Sequence, residues 1–483
     1  MAYKHGVYTQ EVATSLVPMT QTDSGLIVAV GTAPTHLASD PAKANVPKLC
    51  YNYKEAVEAM GYSGDWEKYS LCEVIYTHFA LFNMAPVVLI NVLDAANSNH
   101  VKSVANESFD LNAGMGKVTA PAALLDTLKV AATAEGDALV KDTDYTVAYD
   151  DDENLVITAL PGGALSDAAK GYISYKALDA AAITTMDIIG GVNSVSGANE
   201  GLEAIEDVYP KFGLVPGIII APGWSNNPDV AAVMKAKEEN IDGHFKAISI
   251  CDADDSVRKY TDVKEWKDSN NYRDKGQVLC WPKLTLHGVK YHLSAQLASL
   301  MNKVDAAHDD IPYKSPSNES LQADGAINGN DEDVVLSSAS AAYLNGQGIY
   351  TALNFIGGWK GWGNRTTAYP SGTDPKDTFI AIRRMFNYIS NTLVTSFWQK
   401  IDDPTNKRLI EAVINSANIW LNGLTARGAL LGGRVEFRED ENTKTDLMDG
   451  ILRFHVYMTP PTPAEEIEFI QEYDPDYLST LFD

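Results

Sequence analysis

The chain has 483 residues, too long for one hydrophobic core, and its 45% hydrophobic and 21% charged residues are the balance of a folded protein, so roughly two to four domains are expected. Lys and Arg total 38 against 64 Asp and Glu, a formal charge of −26. No local basic patch offsets that charge, which repels phosphate backbones and anionic membranes, so neither nucleic acid nor membrane is an expected partner.

The opening MAYKHGVYTQEV has no apolar signal-peptide core, and the longest apolar runs are strand-length, short of the roughly 20 residues that a membrane span needs. Cys50, Cys72, Cys251 and Cys280 are scattered singly, which reads as reduced thiols in a cytoplasm-like compartment.

In chain order, Gly6 to Val12 reads as a short extended arm, set off by Pro18 and the polar run Thr20 to Ser24. Leu26 to Val30 and Val87 to Ile90 are apolar throughout, the pattern of strands buried on both faces. Between them Leu71, Val74, Ile75, His78, Phe79 and Phe82 share a helical face that Pro86 ends. Strand, helix and strand predict an α/β layer. From 97 to 182 the texture changes to 13 acids beside 6 lysines with short alternating runs. Tyr145–Tyr149 and Leu155–Thr158 predict a hairpin and Gly171–Tyr175 a third strand, together a small inserted β domain.

The α/β pattern resumes with strands at Gly217–Ile220, Ala247–Ile250 and Gln277–Cys280, a helix over Pro228–Glu239, and a helix striped by Leu293, Leu297, Leu300 and Val304. Asp305 to Asp333 reads as a long polar loop. Beyond it come a strand at Tyr350–Ile356, a turn-rich run displaying Trp359 and Trp362, a long helix over Asp377–Lys400, and a second helix through Leu409, Val413, Ala417 and Trp420. Strands at Val435–Arg438 and Leu452–Tyr457 lead into Pro460–Pro463. Ala464 to Asp483 carries seven acids and no base yet keeps Ile467, Phe469, Ile470, Tyr473 and Tyr477, more apolar content than a disordered acidic tail holds. The Glu466–Phe469 alternation matches a strand that gains its backbone hydrogen bonds by joining another sheet.

No constellation carries catalysis. Ser225 follows a buried strand, but Trp224 disrupts any G-x-S-x-G elbow and no His is placed to serve as base. Gly357 to Gly363 lacks a P-loop or dinucleotide pattern, and the nine histidines and four cysteines form no metal motif. The expected protein is not an enzyme and has no cofactor or metal. Arg383, Arg384, Arg408 and Arg427 are the clustered cations, suited to intrachain salt bridges or to an intermolecular seam with the surplus carboxylates.

Several phrases stand in a recognisable order: Asp187-Ile-Ile-Gly-Gly191, Pro216-Gly-Ile-Ile-Ile-Ala-Pro-Gly-Trp-Ser225, Ser315-Pro-Ser-Asn318, Trp362-Gly-Asn-Arg-Thr366, Phe379-Ile-Ala-Ile-Arg-Arg384 and Ala426-Arg-Gly-Ala-Leu430. With Lys4-His-Gly-Val-Tyr8 at the start and Phe454 to Pro463 near the close, the chain resembles the contractile phage tail sheath proteins, including R-type bacteriocin and prophage sheaths. That resemblance is weakest over 97–182 and 230–280.

The resemblance implies a multidomain α/β (α+β) structural protein that polymerises in stacked six-fold rings around a tail tube protein, with baseplate and tail terminator proteins as further partners. It implies a place in the virion tail, assembled in the host bacterial cytoplasm. Carried onto this sequence, it gives an N-terminal linking arm at 1–22, a middle domain at 23–96 and 183–344, an outer β domain at 97–182, an inner tube-facing domain at 345–463 and a C-terminal linking arm at 464–483. Val7, Tyr8, Thr9, Gln10, Ile467, Glu468, Phe469 and Ile470 would exchange strands between subunits, and Arg383, Arg384, Arg408 and Arg427 would meet the tube or a neighbouring subunit. The alternatives are a non-contractile shell or tail component, and a ligand-binding or hydrolytic α/β protein with its site near Ser225.

Overall fold

The apolar runs from Leu26 and Val87 become β1 (Ile27–Gly31) and β3 (Val87–Asn91), all of whose residues are buried. A computed structural model describes residues 17–150 and 152–481. In it β1 and β3 pair in parallel, with β2 (Lys48–Cys50) antiparallel at the edge. On the other side of β1 follow β12 (Ile218–Ile220), β13 (Ile248–Asp252), β14 (Gln277–Cys280) and β18 (Ile349–Asn354), all parallel, then antiparallel β19 (Trp359–Trp362). The eight-stranded order is β19-β18-β14-β13-β12-β1-β3-β2.

Side chains alternate across this sheet and meet two apolar layers. Ile27, Ala29, Leu89 and Ile250 pack with Leu71, Val74, Leu293 and Leu297 from the Ser70–Ile75 and Leu293–Ala306 helices. Val28, Val30, Val88 and Ile219 pack with Val230 and Met234 of the Pro228–Glu239 helix. The expected helix over 71–82 is α-helical only to Ile75 and widens to a π-helix over Tyr76–Leu81. The sheet also runs past residue 345, where the sequence sets the inner domain, because β18 and β19 complete its edge.

Residues 101–178 form two three-stranded antiparallel sheets. In one, β9 (Lys170–Leu178) lies between β4 (Val101–Asp110) and β6 (Lys129–Ala131); in the other, β8 (Leu155–Ala159) lies between β5 (Met115–Val118) and β7 (Tyr145–Tyr149). The expected β7–β8 hairpin is present, but the third strand belongs to the other sheet. Phe109, Val130, Leu155, Ile157 and Ile173 fill the space between them. Chain entry and exit lie side by side, since Val101 pairs with Leu178.

A small ribbon, β10 (Gly191–Val192) with β11 (Asn199–Glu200), follows. The expected loop over 305–333 is more ordered than its composition suggests. It holds β17 (Gly325–Ile327), which pairs with β15 (Lys283–Leu286), itself paired with β16 (Val289–Tyr291). The Asn318 and Leu321 amides also donate to Gly361 O at 2.6 Å and Trp359 O at 3.1 Å. These partners are distant in sequence, so no local periodicity announces them.

The C-terminal unit packs the Ile380–Phe397 and Lys407–Ala426 helices through Met385, Tyr388, Ile389, Trp420, Leu421 and Leu424. The first helix starts later than its apolar stripe predicts, because Pro375–Thr378 forms a separate turn and Phe379 is extended, bridging Arg365. Beside them β20 (Gly432–Glu436) and β21 (His455–Thr459) make a two-stranded sheet. The whole is a multidomain α/β architecture of several sheets.

Candidate intersubunit site

A two-stranded sheet is marginal by itself, and β20–β21 is braced on one side only. Asn418 of the Lys407–Ala426 helix accepts from Val435 N at 2.7 Å and donates to Val435 O at 3.1 Å, closing the outer edge of β20. Among the described residues no strand pairs with the outer edge of β21. Its chain continues through Pro460, Pro461 and Pro463 along a groove of about 660 Å³ walled by Tyr313, Ser317, Trp362 and Asn364. Glu465 then meets Arg365, whose Nε donates to Oε1 at 2.8 Å and whose Nη2 holds Oε2.

Past that point the chain leaves the body. Residues 466–478 are exposed, with Ile467, Phe469 and Ile470 at 73%, 85% and 89%, and Pro475–Leu481 is a 3-10 turn. Such a row of bare apolar side chains is unusual on a closed monomer. Glu468 is exposed beside them. Residues 460–474, which hold the expected strand, belong to no described sheet.

At the other end, Val7, Tyr8, Thr9 and Gln10 lie outside the described residues. Residues 17–24, most of which the sequence assigns to the arm, are tied to their own body. Val17 N donates to Ser416 Oγ at 2.7 Å, Thr20 N to Ser396 Oγ at 2.8 Å, and Arg384 Nη2 to Ser24 O at 3.0 Å.

The four arginines separate. Arg384 is 4% exposed and forks onto buried Asp305, so the expected tube or neighbour contact through it is corrected: burying a guanidinium requires an internal carboxylate, and Asp305 is that partner. Arg383 pairs with Asp377 at 3.2 Å and lies over the Phe386 ring. Arg408 is exposed, and Arg427 is half-exposed, 3.7 Å from Asp309. The Arg365–Glu465 pair, 100 positions apart, was invisible to spacing. The one signal was that Arg365 and Phe379 both fall in family-like phrases, Trp362–Thr366 and Phe379–Arg384.

The hydrolytic reading near Ser225 is overturned. Ser225 is fully buried; its Oγ accepts from Asp252 N at 3.1 Å and its carbonyl from Tyr272 OH at 2.8 Å, so it is a structural turn. The adjacent crevice of about 350 Å³, at the carboxyl ends of β12 and β13, is walled by Trp224, Asn226, Asp254 and Trp266. His292 points its Nδ1 to buried Glu73 at 2.7 Å rather than to Ser225. Burial alone would lower the His292 pKa, but the Glu73 carboxylate outweighs it and holds it above the ordinary 6.5. Among the described residues no group of three or more His, Cys, Asp or Glu is placed to hold a metal ion, and no helix is long and apolar enough to cross a membrane.

No protein-family model matches the sequence. Single relatives do. The tail sheath protein of Burkholderia phage BcepMu is 28% identical over 99% of this chain and 98% of its own length, and the major tail sheath protein of Serratia phage KSP20 is 23% identical over 63% of this chain and 75% of its own. In structure, the contracted sheath complex of the extracellular contractile injection system PVC superposes with a TM-score of 0.59 at 13% identity, covering 99% of both chains. The fold is that of a contractile sheath subunit. The contracted helical sheath of the anti-feeding prophage superposes with a TM-score of 0.57 at 15% identity over 98% of this chain and all of its own. The likeness runs through both the doubly covered sheet and the C-terminal unit, so the chain is a structural protein related to the contractile tail sheath and injection-system sheaths broadly.

Proposed function

We propose that the chain is the repeating subunit of a contractile tail sheath, assembling with its own copies as stacked six-fold rings around a tail tube and shortening to drive that tube through a host envelope. The observations that carry this are the exposed, base-free segment at 466–478 with its bare apolar side chains and a β21 edge that no described strand pairs. A strand donated by another copy would complete β21 with backbone hydrogen bonds that survive sliding of the side-chain surfaces. Ile467, Glu468, Phe469 and Ile470 are the donor residues at one end, and Val7, Tyr8, Thr9 and Gln10 at the other. Arg408 and Arg427 are the arginines left for a tube or neighbour contact.

On this reading the work of contraction comes from a metastable extended packing rather than from a nucleotide. The remaining partners are the tail tube protein and the baseplate and tail terminator proteins, and the location is the virion tail. Negative-stain microscopy of particles tests it. Ordered tubes in a long narrow and a short wide form are expected; tubes of one length only would point to a non-contractile shell, and a monomer under all conditions would defeat both.

A further inference from the structure

Arg365 is held from three sides. Its guanidinium lies 3.6 Å from the Phe379 ring centroid and 4.5 Å from that of Tyr369, and Nη1 donates to Thr378 Oγ1 at 3.2 Å. Only the remaining fork faces Glu465. The Arg365 side chain is 15% exposed and that of Glu465 39%, so the acid sits on the wet lip of an otherwise dry socket. Before it runs Pro460-Pro-Thr-Pro463, stiffened because proline fixes φ. After it the chain is exposed. A stiff strap, a single ion pair and a bare segment therefore meet at one residue.

The N-terminal exit is built differently. There Ser24 Oγ donates to Asp305 Oδ2 at 2.9 Å, and the Asp305 and Arg384 side chains are 2% and 3% exposed. A pair without access to water is hard to open, because each charge would be left uncompensated in a poor dielectric; a half-wet pair opens easily, because its leaving carboxylate is rehydrated. Arg365 also keeps both rings and Thr378 when Glu465 departs, so its socket survives empty.

We propose that Arg365 is a reusable carboxylate catch: it sets the direction in which residues 466–481 leave the free subunit by holding Glu465, and it releases Glu465 when that segment is re-aimed, while the Arg384–Asp305 clasp stays closed. This deepens the reading of 464–483 as a linking arm and rests on it for its purpose, but the catch belongs to the single chain and is measured there.

The experiment uses the full chain in monomeric form, with spin labels at Ile470→Cys and Lys314→Cys and pulsed distance measurement; the native cysteines are buried. One narrow distance distribution is expected at low salt. Glu465→Gln, Arg365→Gln and about 1 M NaCl, which shortens the screening length to about 3 Å, each broaden it; Glu465→Gln does so without moving the urea midpoint, whereas Arg365→Gln also lowers the midpoint because it loses both ring contacts and Thr378. Arg365→Lys, which keeps the charge but loses the fork, falls between. A distribution already broad in the parent, or still narrow in both Gln variants, overturns the catch. The arm reading fails separately, if a chain lacking 464–483 still forms long tubes.

Discussion

Asp305 and Arg384 form an ion pair sealed from solvent, with Nη1 donating to Oδ1 at 3.0 Å and Ser24 completing the group from the N-terminal side. The pair joins three chain regions, the Leu293–Ala306 helix, the Ile380–Phe397 helix and the segment entering β1. Removing one partner strands the other, so Arg384→Ala or Asp305→Ala should each cost about 3–5 kcal/mol, while Arg384→Met with Asp305→Leu should cost far less than the sum. Equilibrium urea unfolding of the monomer checks this, and additive losses would contradict it.

Ile467 and Phe469 contribute nothing to the fold of their own subunit, being 73% and 85% exposed. Ile467→Ser with Phe469→Ser should therefore leave monomer stability within about 0.5 kcal/mol yet prevent long tubes. Sedimentation and negative-stain microscopy read the two effects apart; tubes at parental yield would refute the prediction.

Glu238 is buried with neither carboxyl oxygen hydrogen-bonded among the described residues. Burial first, and the nearby Asp274 carboxylate in addition, push its pKa well above the ordinary 4.5. With the folded value raised, the stabilisation is fully present below about the ordinary value and is lost as pH rises through the folded one. Glu238→Gln should thus gain on the order of 1–3 kcal/mol relative to the parent at high pH and little at pH 4. A stability difference independent of pH would rule this out.

His292 has the same sign for a different reason. Its folded pKa is raised by Glu73, so the pair's contribution is present below about 6.5 and disappears as pH climbs through the folded value. His292→Gln should flatten the decline in unfolding free energy across that window. A slope identical to the parent's would show that the ring does not titrate there.

Ser225→Ala removes the acceptor of the Asp252 amide and nothing else of chemical consequence. A loss of about 1 kcal/mol is expected, with tube formation unchanged. Calorimetry and microscopy on the same preparation decide it.

Strands buried on both faces were readable from sequence because they are written as unbroken apolar runs: Ile27–Gly31 and Val87–Asn91 fall within a residue of where Leu26–Val30 and Val87–Ile90 place them. The Ile380–Phe397 helix was legible from its stripe, but not its first turn, because the break at Phe379 comes from a bridge to Arg365 rather than from any local preference. Sequence likewise found four arginines without sorting them. Arg384 and Arg408 are the same chemistry on helices, and only the presence of Asp305 opposite one of them makes it internal.

The sequence by itself determined the unbroken apolar runs of this sheet's buried strands, the short alternating runs within 97–182, the lack of catalytic spacing near Ser225 and the apolar, base-free character of 464–483, since each is a property of residues close together in the chain. Tertiary structure alone decided which edges are closed and which charges are spent. Asn418 seals β20 while β21 stays open, and Glu465 finds Arg365 a hundred positions away. Hydrogen bonds and ion pairs depend on distance in space, and folding brings together groups that no local pattern connects.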